Sequence, residues 1–191
     1  MKLLNVLGDG GVLTTNNKKI YDDIKLLRNH GLDNKNSLVW GYNSRLDNIQ
    51  AEVATIKLNK IKKRIKFNQS YAHIYNTQLS NNLITPKINS YEKPVFHRYI
   101  VHIDKNKRDK FQKYLSKNNI ETTVNYGIPL HLQKSAKYLS YKKNSLPVSE
   151  LLSKTMLSLP LYPELTNYEI EYIIEKVNRF FDLDLNKAFS D

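Results

Sequence analysis

The chain has no cysteine among its 191 residues. Disulfides and thiolate-bound metals are therefore excluded. Its five histidines lack metal-ligand spacing, so no metal site is expected. No apolar run is long enough to cross a bilayer. The start Met1-Lys2-Leu3-Leu4 suggests a signal peptide, but Asp9 and the glycines end the apolar run too early for one, which makes a cytoplasmic protein the expectation. There is no phosphate-cradling P-loop, no Ser/His/Asp order and no internal repeat. Acid is scarce beside base, with 18 Asp and Glu against 30 Lys and Arg, a net charge of +12 and a pI near 9.6. The densest basic run is Lys57, Lys60, Lys62, Lys63, Arg64 and Lys66. It lacks the fold and aromatic context of a recognition module, and it reads as a solvated helix face rather than a nucleic-acid surface.

Hydrophobic content of 40% and charged content of 25% mark a globular chain. Residues 12–16 read as a strand. Asn17 is placed to cap a helix from Lys18 to His30, striped by Ile20, Ile24 and Leu27 and ended by Gly31. A polar loop over 32–45 holds Trp40, the single tryptophan. Asp47 and Gln50 have capping-box spacing and open a long helix to Leu79. Its apolar stripe shifts along its length, as in a helix that bridges two units. After a linker over 80–95, a strand is expected at 96–103, a helix at 105–118, a second strand from Glu121 to Tyr126, irregular chain to Pro147, and a helix at 148–155. Thr166 and Glu169 form another capping box, before a helix marked by Ile170, Ile173, Ile174, Val177 and Phe181. The strand–helix order from residue 96 implies a small α/β domain.

Lys2 stands six residues before the turn Gly8-Asp9-Gly10-Gly11. The glycines permit positive φ, and Asp9 can bond back to the backbone, so the loop can be rigid. A lysine on such a loop becomes a covalent nucleophile if its amine is partly desolvated; otherwise it is a solvated terminal charge.

Further motifs follow in order: Leu27-Arg28-Asn29-His30-Gly31, Gly41-Tyr42-Asn43-Ser44-Arg45-Leu46-Asp47, Ile128-Pro129-Leu130-His131, Leu146-Pro147-Val148-Ser149-Glu150, and Leu157-Ser158-Leu159-Pro160-Leu161-Tyr162-Pro163. In this order and spacing the chain resembles the DegT/DnrJ/EryC1/StrS family of pyridoxal-phosphate sugar aminotransferases, to about Phe181. The resemblance implies an α/β protein with the C-terminal part of the type I aminotransferase fold. Residues 1–46 would be a remnant of the cofactor-binding large domain, 47–79 a long bridging helix, and 80–185 a small C-terminal α/β domain. Lys2 falls on the family's cofactor lysine, although Leu3 and Asn5 depart from the motif around it. The ring-stacking aromatic, the acid facing the pyridine nitrogen and most phosphate ligands precede that lysine in the family, so the chain would be begun at, or cut to, Met1.

By the same resemblance, Asn43 reaches the cofactor phosphate of the neighbouring subunit of a homodimer. Tyr126, His131 and His30 lie on the substrate side, with Asn125-Tyr126 standing where the family often has His-Tyr. Arg45 and Asp47 brace the loop or the helix start. The implied reaction moves an amino group, commonly from glutamate, to a keto-sugar nucleotide in nucleotide-sugar and polysaccharide biosynthesis. Two other readings remain at this level: an inactive remnant acting as a protein-interaction module, and a basic nucleic-acid binder.

Overall fold

The computed structural model describes residues 3–188. The chain divides into two units, Met1–Lys62 and Lys63–Asp191.

In the first unit, helix α1 spans Lys18–Leu27 and is capped as expected, with Asn17 Oδ1 accepting from the Ile20 amide at 3.2 Å. It ends earlier than expected. The carbonyls of Leu27 and Arg28 accept from the Tyr42 and Ser44 amides at 2.7 and 3.0 Å, which draws the chain out of the helix. A two-residue hairpin follows, with β1 (Leu32–Asp33) antiparallel to β2 (Asn36–Ser37). Its turn is made by Asn34 at φ 52°, a left-handed conformation that asparagine tolerates. Helix α2 spans Asn48–Asn59. Asp47 precedes it in extended conformation but makes no side-chain cap bond, so the expected capping box at Asp47 and Gln50 does not form. Residues 12–16, expected as a strand, are irregular, and no strand among the described residues pairs with them. A strand needs a neighbour to take its amides and carbonyls.

The long helix expected from Asp47 to Leu79 is interrupted. Helix α2 ends at Asn59, and helix α3 runs from Ile61 to Gln78. Lys60, at φ −101° and ψ −1°, donates its amide to Lys57 O at 3.1 Å in a tight 3₁₀-type turn. Lys60 occupies the place that would continue the Ile49–Val53–Ile56 stripe, so the shift in apolar phase falls at the break.

In the second unit, β3 (Tyr99–His102) pairs antiparallel with β4 (Met156–Leu159), with Tyr99 opposite Leu159 and His102 opposite Met156. Single bridges extend this ribbon on both edges, Ile84 to His102 and Thr123 to Ser158. The strand expected at 121–126 shrinks to that one bridge, and Asn125 turns its amide onto Ser158 Oγ at 2.5 Å. Strand β4 was not expected. Leu157, Ser158 and Leu159 are all buried, so the strand carries no alternation to read. Helices α4 (Arg108–Lys117), α5 (Pro147–Thr155) and α6 (Asn167–Ala188) complete the unit, with two 3₁₀ turns, Leu130–Leu132 and Lys134–Leu139, in the segment expected to be irregular.

The core gathers on this ribbon. Tyr99 and Val101 of β3 and Leu157 and Leu159 of β4 meet Ala72 and Tyr75 of α3, Phe111 and Leu115 of α4, and Ile170 and Val177 of α6. Fully burying one such side chain stabilises by about 1.5–3 kcal/mol. The Phe111 ring sits 4.9 Å from Phe180 and 5.7 Å from Phe181. The Tyr71 and Tyr75 hydroxyls donate to the carbonyls of Leu165 (2.7 Å) and Pro160 (2.9 Å). Burial pushes the Tyr75 and Tyr99 phenols upward, so they remain neutral donors. The expected capping box opens α6: Glu169 Oε2 accepts from the Thr166 amide at 2.8 Å, and Thr166 Oγ1 accepts from the Glu169 amide at 3.2 Å.

Candidate functional site

In the first unit, two motifs far apart in the sequence become one backbone plate. A Cβ added to Gly41 would meet Gly31 N at 2.2 Å, His30 C at 2.6 Å and Leu27 O at 2.7 Å. One added to Gly31, at φ +69°, would fall 1.8 Å from Val39 O. Only glycine permits this approach. The His30 amide donates to Tyr42 O at 3.0 Å, the Leu38 amide donates to Gly31 O at 2.9 Å, and Asn29 bridges Asn43. Asn43 and His30 are thus brought together on one plate, and both are exposed. Arg28 and Arg45, each from one of the two motifs, line an open cleft of about 590 Å³ that also takes in Lys25, Asp22 and Asp33. Arg28 entered the sequence reading only as a letter of its motif; its place beside Arg45 comes from the pairing of the two segments.

The segment carrying the Gly8–Gly11 turn lies along α2. A Cβ on Gly10 would meet Val6 Cγ2 at 2.9 Å and Leu46 Cδ1 at 3.3 Å, and one on Gly8 would lie 3.7 Å from Gln50 Nε2. The Lys57 amine donates to Asn5 O. Lys57 is therefore tied down and half-buried, which corrects its reading as part of a solvated face. Arg64, in the second unit, also departs from that reading, since its Nη1 lies 2.5 Å from Glu164 Oε1. Lys60, Lys62, Lys63 and Lys66 are exposed, as expected. Lys2, the expected cofactor lysine, lies outside the described residues.

The second unit joins two further motifs. His131 Nε2 lies 3.2 Å from Glu150 Oε1, and both side chains are 6% exposed. The Asn144 amide donates to the same carboxylate oxygen at 2.7 Å, and the Tyr141 ring stands edge-on to His131 at 5.9 Å. Burial works against charge on Glu150. The His131 hydrogen bond, the backbone of Asn144 and Leu146 and the nearby imidazole outweigh it, and the carboxyl is held below the usual range. Pro147 starts α5 at a position where a missing amide costs nothing, and this aims Glu150 inward from the first turn. The pair therefore pins the 127–147 segment at both ends. Tyr126, at the start of that segment, is exposed, whereas His131 is not. The structure brings His131 to Glu150. Glu150 had no chemical role in the sequence reading. Its available signal was an acid three residues after a proline that starts a helix.

The model of the DegT/DnrJ/EryC1/StrS aminotransferase family matches residues 1–178. The chain belongs to this family. It is 35% identical over 173 residues to the dTDP-3-amino-3,6-dideoxy-alpha-D-galactopyranose transaminase of Aneurinibacillus thermoaerophilus, covering 90% of this chain and 47% of that protein. Its fold matches S. venezuelae DesV, solved in complex with a ketimine intermediate, at a TM-score of 0.86 and 28% identity over 92% of this chain and 47% of DesV. It also matches a DegT DnrJ EryC1 StrS aminotransferase from Brucella abortus at a TM-score of 0.85 and 31% identity, over 93% of this chain and 48% of that one. The chain spans about half the length of the curated relatives it matches. Its fold is thus that of a C-terminal portion of these aminotransferases.

The described residues do not by themselves fit pyridoxal phosphate. The plate offers the exposed Asn43 amide, and the cleft beside it mixes Asp22 and Asp33 with Lys25, Arg28 and Arg45. Aspartates so near would oppose a phosphate. Nothing buried in this unit is shaped to grip a ring, since Gly31 is the one buried residue between 3 and 62.

Proposed function

We propose that the chain is the C-terminal portion of a pyridoxal-phosphate aminotransferase that moves an amino group from glutamate to a keto-sugar nucleotide. In this reading Lys2 is the covalent cofactor anchor. Asn43 gives its amide to the cofactor phosphate of the partner in a homodimer, since an amide can donate two hydrogen bonds to phosphate oxygens. His30 and Tyr126 face the substrate. His131 serves that side by holding the 127–147 segment through Glu150. Residues 1–46 belong with the large domain, 47–79 connect, and 80–185 form the small domain. A cytoplasmic setting suits a substrate whose diphosphate keeps it from crossing a bilayer.

The observation that carries this reading is the plate made by the two family motifs. Its glycine packing fixes the backbone of Asn43 and His30 side by side, and their side chains are left exposed for a ligand or a second subunit. The test joins the first part of the Aneurinibacillus thermoaerophilus transaminase ahead of Met1. This chimera should sediment as a dimer and transfer the amino group of glutamate to a keto-sugar nucleotide. Asn43→Ala should weaken its cofactor binding by about tenfold or more, which is about 1.4 kcal/mol for lost phosphate bonds, with little effect on folding. A chimera that transaminates as a clean monomer, or that is indifferent to Asn43→Ala, contradicts the cross-subunit role.

A further inference from the structure

The 127–147 segment carries charge of one sign. Between Glu121 and Glu150 the chain has no acid, but it has four lysines, Lys134, Lys137, Lys142 and Lys143. All four are exposed, and none meets a carboxylate among the described residues. Glu150 offers them no counter-charge, because it is buried against His131 and the Asn144 amide. Two exposed rings stand among the lysines, Tyr138 at 81% and Tyr141 at 50%. A merely solvated surface mixes both signs of charge and keeps rings off it. The backbone beneath these side chains is fixed. Lys134–Leu139 is a 3₁₀ turn with three residues per turn, so Lys134 and Lys137 stand in one row about 6 Å apart along its axis. Ser140, left-handed at φ 58°, ends that turn with its amide on Lys137 O at 3.0 Å. Ser145 closes a second turn, its amide and hydroxyl donating to Lys142 O at 3.1 and 2.6 Å. Between the two turns, the Tyr141 ring stands edge-on to the buried His131, which Glu150 holds in turn. A half-exposed ring is thus mounted on the interior of the unit.

We propose that this segment holds a nucleoside diphosphate, with Lys134 and Lys137 on the phosphates, Lys142 and Lys143 adding to the attraction, and Tyr141 stacking on the base beside Tyr138. A lysine ammonium binds phosphate as a point charge. A tyrosine face stacks on any base, since every base has a π-face. A simple anion would use the lysines alone, and an apolar partner the rings alone; a nucleoside diphosphate uses both. The segment starts beside Tyr126, so a nucleotide bound along it would leave its sugar toward the substrate side. That this ligand is the substrate's nucleotide end rests on the aminotransferase reading. That the segment takes an anion with a planar ring rests on its charge and its rings. The His131–Glu150 pair then does more than pin a loop: it fixes the orientation of the Tyr141 ring before any ligand arrives, which lowers the ordering cost of binding.

The test titrates dTDP, the nucleotide in the names of two related transaminases, into the 191-residue chain by calorimetry, with no pyridoxal phosphate present. The expected result is one site of sub-millimolar affinity that weakens as salt rises. Thymidine and inorganic pyrophosphate, each offering half of the ligand, should bind at least about tenfold more weakly. Lys134→Glu with Lys137→Glu should weaken dTDP by about tenfold or more, and Tyr141→Leu by about tenfold. Lys87→Glu with Lys93→Glu, the same change of charge at exposed positions elsewhere in the second unit, should leave binding as it was. In the chimera, Lys134→Glu with Lys137→Glu should raise KM for the sugar nucleotide and leave the rate of the glutamate half-reaction, which involves no nucleotide, unchanged. The absence of dTDP binding at millimolar concentration overturns the proposal. So do equal losses from the two pairs of lysine substitutions, pyrophosphate binding as tight as dTDP, or an oligothymidylate bound far more tightly than dTDP, which would point to nucleic acid. A chain that binds dTDP as expected within a chimera that never transaminates would uphold this site and count against the aminotransferase reading. An active chimera without dTDP binding at this segment would do the reverse, so the two fail separately.

Discussion

Nε2 of His131 and Oε1 of Glu150 face each other at 3.2 Å in the interior of the second unit, 19 residues apart in sequence. The Asn144 amide closes on the same oxygen. One carboxylate thereby fastens a 3₁₀ turn, a loop and the first turn of α5. The loop it closes begins beside Tyr126, so the pair sets how rigidly the expected substrate side is held.

The pair makes stability depend on acid. The Glu150 carboxyl is held below its usual value in the folded chain. Its contribution is therefore fully present above the ordinary carboxylate value and is lost as pH falls through the folded one. Thermal unfolding of the wild type should drop in midpoint across that acid window, and Glu150→Gln should flatten this part of the profile while lowering the midpoint at neutral pH. His131→Ala should destabilise more than Glu150→Gln at neutral pH, because it leaves a buried charge short of a partner. Superimposable pH profiles for wild type and Glu150→Gln would show that the pair carries no such linkage.

Gly41→Ala tests the plate. The new methyl would stand 2.2 Å from Gly31 N, a backbone atom with no freedom to retreat. The His30–Tyr42 and Asn29–Asn43 pairings should open, and amide exchange over residues 27–44 should speed by an order of magnitude or more, in line with a strained-backbone cost of about 1–3 kcal/mol. The exchange of β3 and β4 should not change. Unaltered exchange over 27–44 would mean that the two motifs are not packed as described.

The cap of α6 supplies a third test. Thr166→Ala removes the side-chain acceptor of the Glu169 amide. It should cost about 1 kcal/mol of stability in denaturant unfolding, as for other cap losses. A change within about 0.3 kcal/mol would show that solvent replaces the bond fully.

The remaining exposed lysines of the basic run should bind duplex DNA weakly, with affinity falling steeply as salt rises. Electrophoretic shift assays at physiological salt should show no sequence preference. Tight, selective binding there would favour the nucleic-acid reading.

Helices with caps and steady stripes were legible: α1 through Asn17, α6 through Thr166 and Glu169, and α4 through Phe111 and Leu115. The break at Lys60 was hinted by the shifting stripe but not placed by it. Strand β4 escaped because its buried run lacks alternation, and the strands expected at 12–16 and 121–126 failed because a ladder depends on neighbours that local sequence does not reveal. The same logic governs the site. Motif residues such as Asn43 and His131 could be named from the sequence, whereas the junctions Gly31–Gly41 and His131–Glu150 exist only once distant segments meet.

Absorbance with pyridoxal phosphate tests the central claim most directly. The proposal is that this chain brings the anchoring lysine, Lys2, and the Asn43 phosphate contact, while the rest of the cofactor cradle belongs to the first half of the fold. A lysine amine without a fixed, desolvating site keeps an ordinary high pKa and is a poor nucleophile at neutral pH. Titrated with pyridoxal phosphate, the 191-residue chain should show no stoichiometric visible cofactor band, and Lys2→Ala should behave the same. The chimera carrying a relative's first half should show one band per chain, and Lys2→Ala should abolish it. A stoichiometric band in the 191-residue chain alone that Lys2→Ala removes, or a band in the chimera that survives Lys2→Ala, would contradict the account.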